Sequence, residues 1–256
     1  MKKERHLFVV LMLALSLAAS SLFAQTTQPI KNILLVHGAF ADGSSWSKVV
    51  PILQAKGFNV TAVQIPLTSF ADDIAATRRS LALQNGPVIL VGHSWAGVVI
   101  TEVGLDPKVA GLVFVAAFAP DADEVVGELG KNYPPPPSLA APIVDAQGFM
   151  SLPTETIVKE FAWDLPAAEA RVLAATQVPI AVSAFNAKVS NVAWKTKPSW
   201  FIVAKQDRAI DPDAERFFAK RANSTTTELD TSHVAMLSKP REVAAVIVNA
   251  ATQAAH

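Results

Sequence analysis

The chain contains no cysteine and one tyrosine, and its 22 acidic side chains cancel its 22 basic ones over 256 residues. Without cysteine there can be no disulfide and no thiolate nucleophile, so stability has to come from packing. The charge balance supplies no field to gather nucleic acid or an anionic membrane surface, and neither is expected as a partner. Histidine is scarce too, with five residues in all, few enough to weigh each one by elimination. No internal repeat or low-complexity tail is evident.

The first 24 residues stand apart. In "MKKERHLFVVLMLALSLAASSLFA", Lys2, Lys3 and Arg5 precede the apolar run Leu7 to Ala19, and small residues near Ser20 and Ala24 offer cleavage points. The pattern reads as a signal peptide over 1–24, which makes the protein exported, periplasmic or secreted, with no stable membrane association once it is cut. The competing reading is an uncleaved anchor, since the apolar stretch approaches the roughly 20 residues that span a bilayer. Cleavage leaves residues 25–256, with 19 basic and 21 acidic side chains, a size that fits one α/β domain with a small insertion. The oligomeric state is not legible.

Short apolar runs alternate with helical patterns. Asn32 to Val36, Val60 to Ile65, Val88 to Val91, Gly111 to Ala117, Trp200 to Ala204 and Thr225 to Leu229 read as strands. Trp46 to Ala55, Ser69 to Gln84 and Trp95 to Val103 suit crossover helices. Asp211-Pro212 starts a further helix, and Val243, Val246, Ile247 and Ala250 mark the apolar stripe of the last one. Such alternation predicts a mostly parallel sheet with helices on both faces. The rhythm breaks over about 121–197, which holds Pro134 to Pro137 and helical patterns at Thr154 to Asp164 and Ala167 to Gln177 but no convincing strand. This region reads as an inserted helical cap, with the proline run as a stiff spacer.

Ser94 lies in "VILVGHSWAGVVI", between an apolar strand and a helical pattern. A serine on a sharp strand-to-helix turn projects its hydroxyl beyond the sheet edge and needs small residues two positions either side. Gly92 meets that demand; Ala96 exceeds it by one methyl, which Gly97 helps accommodate. Because a hydroxyl is a poor nucleophile at neutral pH, a histidine has to take its proton and an acid has to orient that histidine. His256 is terminal, His93 adjoins Ser94 and packs beneath the turn, and His37 sits at a tight turn before glycine. His233, between the last strand and the last helix, remains as the base. Asp207, after the strand ending at Ala204, is the acid, with Asp121 the competitor and Asp211 a helix cap. The oxyanion formed on attack needs two backbone N–H donors, expected from Trp95 and from Ala39, with Phe40 the second choice.

"VHGAFADGSSW", "VILVGHSWAG", "VFVAAFAPD", "KQDRAI" and "SHVAMLSKP" together resemble the α/β-hydrolase superfamily, and within it the branch of small methyl esterases and hydroxynitrile lyases. The resemblance spans nearly the whole chain after residue 24 and is weakest across the cap. It implies the α/β-hydrolase fold and a serine carboxylic-ester hydrolase without metal or organic cofactor, acting on a small-molecule ester. Carried over residue by residue, it implies Ser94 as nucleophile, Asp207 as acid, His233 as base, and Ala39 and Trp95 as oxyanion donors; Trp95, where the branch usually has leucine or methionine, puts an indole at the site's wall, and Phe40, Trp95 and Val234 are expected at the substrate. The lyases carry threonine where Gly38 stands and lysine where Val234 stands, so hydrolysis is expected over cyanide release. A perhydrolase-type activity would use the same triad, and a non-catalytic ligand-binding protein on this fold is the alternative from another class. Phe149, Met150, Phe161, Trp163 and Phe185 give the cap an aromatic and apolar content that serves either as substrate wall or as cap core.

Overall fold

The computed structural model describes residues 29–255, so the expected signal segment 1–24 and the terminal His256 lie outside the described residues. Strands β1 (Asn32–Val36), β2 (Asn59–Val63), β3 (Val88–His93) and β4 (Val109–Val115) are followed by three short cap strands. These are β5 (Ile143–Val144), β6 (Phe149–Ser151) and β7 (Ile180–Ala181), after which come β8 (Ser199–Ala204) and β9 (Thr225–Leu229). The main sheet runs β2-β1-β3-β4-β8-β9, every neighbouring pair parallel. Central strands of a parallel sheet are covered on both faces and therefore read as unbroken apolar runs. NILLV in β1, VILVGH in β3 and SWFIVA in β8 are buried at every position, whereas the edge strands NVTAV and TTTEL are largely uncovered. Threonine suits such an edge, being β-branched and polar.

The helices are α1 (Val50–Ala55), α2 (Phe70–Ala82), α3 (Ala96–Val103), α4 (Ala167–Thr176), α5 (Pro212–Arg221), α6 (Ala235–Ser238) and α7 (Pro240–Gln253). Ser69 caps α2 by accepting the Asp72 N–H, and Asp211 caps α5 by accepting that of Asp213, with Pro212 at its first position. The helix expected from Trp46 divides into a 3-10 turn over Gly43–Trp46 and then α1, where Pro51 lies in the first turn. Among the described residues no helix is long and apolar enough to cross a membrane.

The cap differs from the expected all-helical insertion. Besides α4 and a turn over Thr154–Thr156 that continues into a π-helical turn Ile157–Phe161, it holds the antiparallel sheet β5-β6-β7. These strands are two or three residues long, too short to show alternation in sequence. The cap returns to the body through Glu102 on α3, whose carboxylate accepts the Ser190 and Asn191 N–H groups at 2.7 and 3.0 Å. Because the strand order reverses between β1 and β3, a crevice opens beyond their carboxyl ends, the usual ligand position in open α/β sheets. Residues that follow β1, β3, β8 and β9 face it, and the cap closes over it.

Candidate active site

The turn after β3 places Ser94 in a left-handed backbone conformation, φ 52°, which costs a non-glycine residue roughly 1–3 kcal/mol and persists only when its surroundings enforce it. Three hydrogen bonds do so: Ser94 N–H donates to the Val115 carbonyl at 3.1 Å, while the Ser94 carbonyl accepts from Gly97 at 2.9 Å and Phe118 at 3.3 Å. Two glycines are sterically required. A Cβ on Gly92 would lie 2.7 Å from the Ala96 oxygen, and one on Gly97 would lie 2.0 Å from the Phe118 oxygen. The turn thus places its second strict demand on Gly97, where α3 crosses the end of β4, and Ala96 is buried in the core.

Asp207 follows β8 and is nearly fully buried. Its Oδ1 accepts the Ala209 and Ile210 N–H groups at 2.6 and 3.0 Å, and its Oδ2 lies 2.5 Å from His233 Nδ1. A carboxylate only accepts, so Nδ1 carries the proton and Nε2 keeps its lone pair. Among the described residues Nε2 has no hydrogen-bond partner. His233 and Ser94 are not hydrogen-bonded to each other; they share the wall of one cavity of about 40 Å³, together with Ala39, Phe40, Trp95, Phe118, Leu139, Phe161, Phe185, Ala209 and Ile210. Among the described residues the backbone N–H groups of Ala39, Phe40 and Trp95 donate to no protein acceptor. Phe40 also has a positive φ of 58°, so the turn after β1 is held in a second strained conformation beside the serine.

The structure brings together Ser94, Asp207, His233, Ala39, Phe40 and Trp95. It does not bring in Val234, which was expected at the substrate: the residue is buried at the entry to α6, where the chain turns away, and it does not line this cavity. Asp121 is ion-paired with Lys195 on the surface. The cap aromatics divide. Phe161 packs edge-on against His233 with ring centroids 4.7 Å apart, and Phe185 lies 5.6 Å from the Trp95 ring. Met150 lines an outer cavity of about 490 Å³, which shares Phe118, Leu139, Phe185, Ala209 and Ile210 with the inner one. Trp163 stands under the Arg208 guanidinium and bonds the Gln206 carbonyl.

His93 is buried beneath the turn and His37 at the turn after β1, as expected, but the bonds that they and Asp73 make around this centre were not legible in the sequence. His93 Nε2 donates to the His233 carbonyl at 3.0 Å, and the two rings lie 4.7 Å apart. Burial, and then the His233 ring, hold the His93 imidazole well below the ordinary histidine range, so it is neutral. His37 Nε2 accepts the Ile65 N–H and Nδ1 donates to the Gly38 carbonyl, tying the ends of β1 and β2 together, and burial lowers its pKa as well. Asp73 on α2 accepts the indole N–H of Trp95 and the backbone N–H of Leu67, each at 2.8 Å. Burial outweighs those two bonds and raises its pKa to about 6. The available signal for Asp73 was positional: with Ala76, Thr77 and Leu81 it belongs to the buried stripe of α2, and an acid in an apolar stripe needs partners. Among the described residues no group of three or more His, Asp and Glu side chains is placed to hold a metal ion.

The sequence profile of the alpha/beta hydrolase family matches residues 33–246. Methylesterase 1 of Arabidopsis thaliana is 27% identical over 244 residues, covering 83% of this chain and 93% of that protein. A carbendazim hydrolyzing esterase of Nocardioides sp. is 25% identical over 245 residues, covering 83% and 96%. In fold, the crystal structure of polyneuridine aldehyde esterase superposes with a TM-score of 0.74 at 19% identity, covering 86% of this chain and 98% of that one.

Proposed function

The chain belongs to the alpha/beta hydrolase family, and on that premise we propose that it is a serine carboxylic-ester hydrolase working through Ser94, His233 and Asp207. One observation carries the proposal: Asp207 fixes the His233 tautomer whose Nε2 lone pair is free, at the wall of the cavity that holds Ser94 on its strained turn. His233 takes the proton from Ser94 Oγ as that oxygen attacks the ester carbonyl. The oxyanion is received by the amides of Trp95 and Ala39, and losing one such donor costs about 2.7–4 kcal/mol of transition-state stabilisation. His233 then hands its proton to the departing alcohol. Water repeats the attack on the acyl-enzyme and releases the acid.

The small inner cavity and the roomier outer one support esters with a compact group at the serine and a larger apolar group beyond Leu139 and Phe185. Methyl esters, the class in the name of the Arabidopsis relative, belong in the first panel with p-nitrophenyl acetate and butyrate. Ser94→Ala should lower turnover by on the order of 10⁴-fold or more; a parental rate in that variant removes Ser94 from the reaction. Cyanide release is disfavoured at Gly38. A Cβ there would lie 2.8 Å from Ser94 Cβ and 2.9 Å from His93 Nδ1, which leaves no room for the threonine of the lyases. The signal-like composition of residues 1–24 supports export, which N-terminal sequencing of protein recovered outside the cytoplasm would test.

A further inference from the structure

Helix α5 runs behind the acid of this site, and its face toward the core carries Ala214, Glu215, Phe218 and Ala219. Glu215 is fully buried in that stripe. Its Oε2 accepts the Ala204 N–H at 3.0 Å, while Oε1 has no donor to accept from among the described residues. Ala204 brings the Asp207 side chain alongside: its N–H goes to Glu215, and its carbonyl accepts the Asp207 N–H at 3.1 Å, so the two carboxyl groups adjoin and act on each other. Two adjoining carboxyl groups in a dry interior cannot both be ionised. Asp207 already serves as acceptor for Ala209, Ile210 and His233. The neighbouring cation, Arg216, is spent on Glu228 and Asp213 at the surface. The shared proton therefore belongs on Glu215, where the otherwise idle Oε1 can donate it.

We propose that Glu215 is a positioning residue for the triad acid: a neutral carboxylic acid whose Oε1–H donates to Asp207, fixing that carboxylate's rotation and leaving one negative charge behind His233. The inference rests on reading Asp207 as the acid of the esterase site. Burial, and then the charge of Asp207, both push the Glu215 carboxyl well above the usual carboxylate range, which accords with a proton held at neutral pH. When Glu215 does ionise at alkaline pH, the Asp207 carboxylate faces a second charge, loses its fourth donor and no longer holds His233 squarely. The arrangement thus builds an alkaline limit into the site.

Glutamine tests this well, because its amide can accept from Ala204 and donate to Asp207 but cannot ionise. Glu215→Gln should keep kcat/KM at pH 7 within about threefold of the parent and extend activity to higher pH. Folded Glu215→Leu should lose about tenfold to a hundredfold, the worth of a hydrogen bond to a charged group. Infrared spectra at pH 8 should show a carboxylic-acid carbonyl stretch in the parent that is missing from Glu215→Gln. No difference in that band between parent and Glu215→Gln would mean Glu215 is ionised and overturns the proposal. So would a folded leucine variant with parental kcat/KM, or an alkaline limb unchanged in the glutamine variant. A parent that shows the band but cleaves no ester would overturn the esterase reading while leaving the proton on Glu215.

Discussion

Replacing Asp73 by asparagine should change how stability depends on pH, by an amount the structure sets. The Asp73 carboxyl is fully buried, with both oxygens engaged by Leu67 N–H and Trp95 Nε1–H, and its pKa is raised from 3.8 to about 6, chiefly by burial. Between those two values the folded protein holds a proton that the unfolded chain has released. The contribution of Asp73 is therefore fully present below pH 3.8 and is lost as pH rises through 6. A gap of this size is worth about 3 kcal/mol in all, of which about 2 kcal/mol falls between pH 4.5 and 7. Asparagine lacks the titration. It keeps one acceptor and turns an NH2 toward the other donor, a penalty of about 1–3 kcal/mol that does not vary with pH. Urea unfolding of both proteins from pH 4.5 to 7 isolates the group, because every other titration is common to the pair. The parent should lose about 2 kcal/mol relative to the variant across that window. A difference that stays flat would refute the raised pKa of the buried acid that holds the Trp95 indole.

Two further outcomes follow from the same geometry. In Asp207→Asn the side-chain NH2 faces His233 Nδ1 and forces the proton onto Nε2, so p-nitrophenyl acetate turnover should fall by about 10³- to 10⁴-fold in a folded protein; near-parental turnover would remove Asp207 from its role. Gly97→Ala drives a Cβ into the Phe118 carbonyl at 2.0 Å and should destabilise by about 1–3 kcal/mol or more, read as a drop of several degrees in Tm. An unchanged melt would show that the turn tolerates a side chain there.

Much of the architecture was legible because buried parallel strands leave a plain mark. The bounds read for Asn32–Val36 and Thr225–Leu229 coincide with β1 and β9. The strand expected at Gly111 to Ala117 is β4 at Val109–Val115. The strand ends where Ala116 turns to a φ of 44°, and the alanines there are apolar because they are buried in the core beside the Ser94 turn. The site's principal residues were reachable because small neighbours mark Ser94 and few histidines compete with His233. Asp73 and Glu215 were not, nor was the bond that His93 makes from its expected place beneath the turn, since each acts through a partner that only the fold brings alongside: the Trp95 indole, the Asp207 carboxylate and the His233 carbonyl. Val234 misled for a related reason. Adjacency to His233 says nothing about which way the chain turns after it.

The reactivity of one hydroxyl is the central claim, and a fluorophosphonate probe measures it without knowledge of the natural substrate. Incubated with the protein at pH 7.5, the probe should add once per chain, on the peptide containing Ser94, and His233→Ala should abolish the adduct. Failure of Ser94 to label in a folded parent, or equal labelling once the imidazole is removed, would contradict the account.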